Sequence, residues 1–277
     1  MRASIQFHFQ ISYAEPVRAV NQVLRLTPRG FDGQEIKDWR VDALPDARMR
    51  RSEDAFGNIV HSCCHDGPLD QLSIMAEGDI ETYDVAGVVR GLPEKMPLDV
   101  YLRDTAATLA DKDLLAFAQD ALSGEKDPLG QMHVLTAALH ETCAFAPGEG
   151  EPPRPAKEAF ASRAGSAREL AQVFVAAARS LDVPARFVSG FFLGDEGAGA
   201  AGAHHAWAEV FVEPIGWIGF DPAIGCCPRD EHLRIALGLD FGGAAPRRAA
   251  AFGYAREDAI AVLKVDVSRQ ASWQGQQ

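Results

Sequence analysis

The chain is poor in positive charge. Its 27 lysines and arginines stand against 39 aspartates and glutamates, a net charge of −12 over 277 residues. A nucleic-acid binder needs a basic face, so that class is set aside. Long apolar runs are also missing, and no stretch reaches the roughly 18 residues that a spanning helix requires. The first residues, MRASIQFHFQISY, alternate apolar and polar and lack the apolar core and small-residue cleavage site of a signal peptide. The expectation is a cytoplasmic protein that engages neither nucleic acid nor membrane. Cysteine is sparse: Cys63 and Cys64, Cys226 and Cys227, and Cys143 alone. Adjacent cysteines rarely bridge each other, and an odd count fits reduced thiols better than a disulfide framework. Metal-ligating patterns are weak. HSCCH (61–65) would alternate between the two faces of a strand. His204 and His205 with Cys226 and Cys227 are chemically closer to a zinc set but lack its spacing. No metal and no cofactor is expected.

What is present is organised in two parts. Residues 1–90 read as strands: SIQFHFQISY alternates with period 2, VNQVLRLTPRG ends in a turn, and IKDWRVDALP repeats the pattern. The stretch from Asp54 to Val85 reads as two or three further strands divided at FGN and DGP, giving a sandwich-like β region. Two prolines in GLPEKMPLD then break the pattern, and from about residue 101 the apolar spacing becomes helical. The expected division is a β domain over 1–90 and a second domain over 91–277, an α+β chain, with EDAIAVLKVDV as its last strand.

Two stretches carry the chemistry. In GSARELAQVFVAAARSLDVPARFVSGFF, Leu170, Phe174, Ala178 and Leu181 share one helical face. Ser166 with Glu169 three residues later makes a capping box, so the helix begins at Ala167, and Pro184 forbids its continuation past Leu181. In HHAWAEVFVEPIGWIGFDP (204–222), Ala206, Ala208, Val210 and Val212 share one side of a strand, and His205, Trp207, Glu209 and Phe211 share the other. A hairpin symmetric about Glu213 would set His205 directly opposite Asp221. Such a pair can orient a nucleophile, and it can equally be a structural hydrogen bond. His204 reads as an exposed neighbour.

Together these stretches resemble the bacterial transglutaminase-like cysteine enzymes, whose pattern is close to HAW-x-E-V … GW-x-G-F-DP. The AAARSL and PARFVSG segments resemble the nucleophile half of the same family, and YAEPVRAVNQVLRLTPRG with DAFGN resembles the β region that precedes its core. The resemblance implies an antiparallel β domain followed by a papain-like transglutaminase core, a helix packed on an antiparallel sheet. It places the catalytic His and Asp on His205 and Asp221 and the nucleophilic Cys on Ala167. Ser166-Ala167-Arg168-Glu169 stands where the family has Val-Cys-Gln-Asp; a change at all four positions favours natural loss over a single engineered substitution. The implied function is a pseudoenzyme that binds a peptide or protein ligand in the former cleft, with Trp207, Arg168 and Ser166 as binding residues. The alternatives are an acyl-transfer enzyme of the transglutaminase or cysteine protease type, and a metal-assisted hydrolase using His205 with Cys226 and Cys227. Oligomeric state is left open.

Overall fold

The computed structural model describes residues 1–148, 152–194, 204–253 and 256–268. Alternation of apolar and polar residues builds the N-terminal region. In β1 (Arg2–Thr27), Ala3, Ile5 and Phe7 are buried while Ser4, Gln6 and His8 face out. β2 (Gln34–Leu44), β3 (Arg50–Glu53) and β4 (Ile59–Thr82) complete the antiparallel set, with β4 between β1 and β2. The expected division at DGP does not occur. β4 runs on through Gly67, and β1 runs on through the matching irregularity between Ser12 and Ala19. Gly67 makes this possible, since a Cβ there would lie 2.1 Å from the Val17 carbonyl oxygen. The region is therefore one sheet, not a sandwich of two.

A short strand β5 (Val88–Val89) leads into α1 (Lys112–Ala121), α2 (Pro128–Thr142), β6 (Ala144–Phe145), α3 (Ala156–Ser162) and β7 (Ala164–Gly165). The central helix α4 (Ala167–Ser180) follows, then β8 (Ala185–Phe192), β9 (His204–Val212), β10 (Gly216–Phe220) and β11 (His232–Gly238). The core sheet has the order β11-β8-β9-β10-β5, and α4 packs on β8 and β9. The helix is buried on nearly every side, as a central helix must be. It stops as the sequence requires: Asp182 takes the left-handed position at φ +58°, and the Val183 N–H bonds back to the Ala178 carbonyl at 3.0 Å.

After α5 (Phe241–Ala244) the chain leaves the core. β12 (Arg247–Phe252) and β13 (Glu257–Ser268) both pair with β1. The division drawn at residue 90 thus fails for the last strands, which complete the first sheet, because β1 is long enough to offer a free flank to each. Two side-chain amides fasten the N-terminal region to β11. Gln34 both donates to the Arg234 carbonyl and accepts its N–H, at 2.9 and 2.8 Å. Asn58 does the same to Leu237 at 2.7 and 2.8 Å. Each amide imitates a strand neighbour, so the flank of β11 is not left as an open edge. Among the described residues, no helix is long and apolar enough to cross a membrane.

On the face of β9 away from Ala206 and Ala208 lies a buried ion cluster. Glu209 accepts from Arg186 Nε at 2.6 Å and from Arg234 Nε at 2.7 Å. Arg186 continues to Glu94 at 3.1 Å, and Glu94 also accepts from Trp217 Nε1 at 2.7 Å and the Tyr101 hydroxyl at 2.7 Å. Burial would raise the Glu209 carboxyl, but the charges of Arg234 and Arg186 hold it at about 2.

Candidate active site

The β9–β10 hairpin pairs Val212 with Gly216 and Ala208 with Phe220. Its centre is therefore Pro214 rather than Glu213, and Asp221 comes level with Trp207, two residues from the expected partner. An offset of two preserves the face of the sheet, so His205 and Asp221 meet on a diagonal. His205 Nε2 lies 2.5 Å from Asp221 Oδ2, with both residues buried. Asp221 is held where β10 ends. Its N–H donates to the Cys226 carbonyl at 2.8 Å, and its Oδ1 accepts the Ala223 N–H at 2.9 Å. His140 on α2 bonds the Pro222 carbonyl through Nδ1 at 3.1 Å.

A third residue joins that the sequence did not announce. His232, at the start of β11, places Nε2 3.2 Å from the same Asp221 oxygen. Its Nδ1 accepts the Arg229 N–H at 3.1 Å, so the proton of the neutral ring sits on Nε2 and points at the carboxylate. Burial would raise the Asp221 carboxyl, but the charge of His205 and the hydrogen bonds from both histidines drive it well below the usual carboxylate range. An ionised Asp221 accepts the Nε2 proton of His205. The base lone pair of that ring is then on Nδ1, the arrangement that serves a nucleophile.

His205, Asp221 and His232 offer three metal-ligand atoms within 4.8 Å of one another. The donor chemistry does not fit a metal ion. His232 Nε2 carries a proton rather than a lone pair, and reversing the tautomer would set two N–H groups against each other at Arg229. Neither Cys226 nor Cys227 belongs to this group.

Ala167 is the first residue of α4 and is 6 % exposed. The capping box is complete: Ser166 Oγ accepts the Glu169 N–H, and Glu169 Oε2 accepts the Ser166 N–H at 2.9 Å. Arg154 clamps the Glu169 carboxylate at 2.7 Å. Burial opposes ionisation there, but the bonds from Arg154 and Ser166 hold Glu169 at about 2. A carboxylate so acidic is no base for the Ser166 hydroxyl, which acts as a cap.

The three expected binding residues are placed differently from one another. Trp207 is 2 % exposed and stands edge-on to the His232 ring at 5.3 Å, so it supports the imidazoles from beneath and offers no ligand surface. Ser166 is buried. Arg168 is half-buried, donates to the Gly148 carbonyl at 2.7 Å and lies over the Phe241 ring. His204 is not the exposed neighbour expected. It is half-buried between Phe191 and Phe241, with Nε2 2.9 Å from Ser189 Oγ. Burial first, then the charges of Arg168 and His205, push its pKa down to about 3, so it is neutral at physiological pH.

All five thiols are free. Burial raises Cys63, Cys143 and Cys226, and pushes Cys227 up to about 11. Alkylation followed by peptide mapping across pH 5–9 is therefore expected to leave Cys63, Cys143, Cys226 and Cys227 unlabelled at pH 6, with Cys64, the one exposed thiol, the most accessible to the reagent. Rapid labelling of Cys226 or Cys227 at pH 6 would reveal a relocated nucleophile.

Comparison with known proteins agrees with this geometry. The transglutaminase-like superfamily core matches residues 115–222, a span that contains Ala167, His205 and Asp221. The bacterial transglutaminase-like N-terminal region matches residues 3–81. An uncharacterized protein of Mycobacterium leprae is 22% identical over 265 residues, covering 91% of this chain and 94% of its own. A crystal structure from Cytophaga hutchinsonii, of a protein proposed to be a cysteine protease, superposes with a TM-score of 0.74 at 17% identity, covering 99% of this chain and 95% of that one. At that identity the likeness establishes the fold. By these two matches, residues 115–222 form a transglutaminase-like superfamily core and residues 3–81 the bacterial transglutaminase-like N-terminal region ahead of it.

Proposed function

We propose that the protein is a transglutaminase-like pseudoenzyme that binds a peptide or protein segment in the cleft where its relatives hold an acyl group. The observation that carries this reading is the residue at the head of α4. Ala167 is the first residue of α4, behind a complete cap, where the resemblance to the family puts the thiol, while His205 and Asp221 share a hydrogen bond. Alanine has no nucleophile to offer, and the raised thiols elsewhere supply no substitute. Recognition is then the remaining use of the cleft. Its occupant is an extended peptide, the class of ligand that lies across the helix N-terminus in an acyl-transfer site. The free thiols support a reducing, cytoplasmic setting.

The test is selection of a random displayed peptide library against the full chain. Enriched peptides are expected to slow hydrogen exchange at residues 166–170 and 204–206 and to be recovered intact. Peptides that are cleaved or joined to an amine would make the protein an enzyme. Slowed exchange confined to other elements would remove the cleft as the binding site.

A further inference from the structure

β13 is a twelve-residue strand with one unused flank. On one side it runs antiparallel to β1, from Arg2 opposite Ser268 to Tyr13 opposite Glu257. Its other side pairs with nothing among the described residues. An unpaired edge is a template for another strand unless charge, proline or a bulge blocks it. No proline or bulge interrupts this edge, its charges are of both signs, and Ile260 and Val262 are 65 % and 44 % exposed upon it. Both lie on the outward face, level with Gln10 and His8 of β1. With Arg256 just before the strand, that face reads Arg256, Asp258, Ile260, Val262, Lys264, Asp266.

We propose that two copies of the chain join β13 to β13, antiparallel, about a two-fold axis at Ala261, so that the two N-terminal sheets become one. The sequence of the face is self-complementary about that residue. Ile260 meets Val262 of the other copy, Asp258 meets Lys264, and Arg256 meets Asp266; symmetry makes each contact twice. The exposed ion pair between Arg256 and Asp258, 3.4 Å apart, is compatible with this arrangement. Other registers lose the match. A shift of two residues sets Arg256 against Lys264 in one direction and Asp258 against Asp266 in the other. A shift of one sets Asp258 against Leu263 or Val265 and disturbs the face that Leu263 buries. The proposal is independent of what the cleft binds.

Disulfide trapping tests the register directly. In Ala261→Cys the two introduced thiols lie opposite each other across the axis, and mild oxidation of the full chain is expected to give a reducible dimer. In Ala259→Cys they are offset by four residues, about 13 Å along the strand, and no dimer above the wild-type background is expected. Sedimentation equilibrium supplies the second arm. Asp258→Lys and Lys264→Asp should each weaken dimerisation by about tenfold, because each places two like-charged pairs in the interface. The double variant Asp258→Lys/Lys264→Asp should restore it. Equal trapping at 259 and 261, a monomer at every concentration, or a dimer indifferent to both single charge reversals would each overturn the proposal.

Discussion

Ala167→Cys, alkylated with iodoacetamide at pH 6, is expected to label about tenfold faster than any of the five native thiols. A cysteine at a helix N-terminus beside an imidazole has its pKa lowered into the range ~3.5–7.5, whereas an ordinary thiol sits near ~8.5. At pH 6 the ordinary thiol is about 0.3 % thiolate, and one with a pKa of about 6 is half ionised, a gain of roughly 150-fold in nucleophile. The more acidic thiolate is intrinsically less nucleophilic, which removes about a factor of ten. The net gain is larger still over Cys63, Cys143, Cys226 and Cys227, which burial raises. The fold should tolerate the change. Ala167 already sits behind a complete cap at a position with slight exposure, and the substitution adds one sulfur. Adding Asp221→Asn to Ala167→Cys should cancel most of the gain, since the His205 ring would lose its anionic partner. If the folded single variant labels no faster than free cysteine, His205 is not poised as a base, and its bond to Asp221 is structural.

The parts of this site readable in the sequence are the local ones. The cap at Ser166, the start of α4 at Ala167 and the stop at Asp182 depend on residues within one or two turns of one another. The faces of β9 follow from alternation alone. The register of β9 against β10 does not, because a turn centred on Glu213 and one centred on Pro214 bury the same faces and differ only in how far Asp221 slides along His205. His232 was invisible for a stronger reason. It reaches Asp221 although β8 and β9 lie between β11 and β10 in the sheet order, and nothing within HLRIALG refers to that carboxylate. The return of β12 and β13 to β1 is of the same kind: alternation marks a strand but not the sheet it joins. Trp207 shows the opposite error, a motif residue taken for a ligand contact that the structure uses as a floor.

Glu209→Ala is expected to cost about 3–5 kcal/mol of folding stability. The carboxylate is fully buried between Arg186 and Arg234, and removing it strands the Arg234 guanidinium away from water and leaves Arg186 with one partner fewer. Arg186 retains Glu94 as a partner, but among the described residues Arg234 has Glu209 alone among its ion pairs. The titration of the carboxyl gives a similar figure. A glutamate held at about 2 in the folded chain, against an ordinary ~4.3, contributes about 3 kcal/mol at neutral pH. The sign follows from the lowered folded value. The contribution is fully present above ~4.3, the unfolded pKa, and is lost as pH falls toward 2. Asp221 and Glu169, also lowered, are lost in the same direction. Urea denaturation of the wild type should therefore show stability falling steeply below about pH 4.3, and Glu209→Gln should flatten that fall while lowering the plateau above it. The double variant Glu209→Met/Arg234→Met separates a lost charge partner from a lost packing group. With no stranded guanidinium at Arg234, it should recover stability over Glu209→Ala. A Glu209→Ala protein as stable as wild type at pH 7, with an unchanged acid limb, would mean that the two arginines find other partners or water, and that the cluster does not hold the sheet.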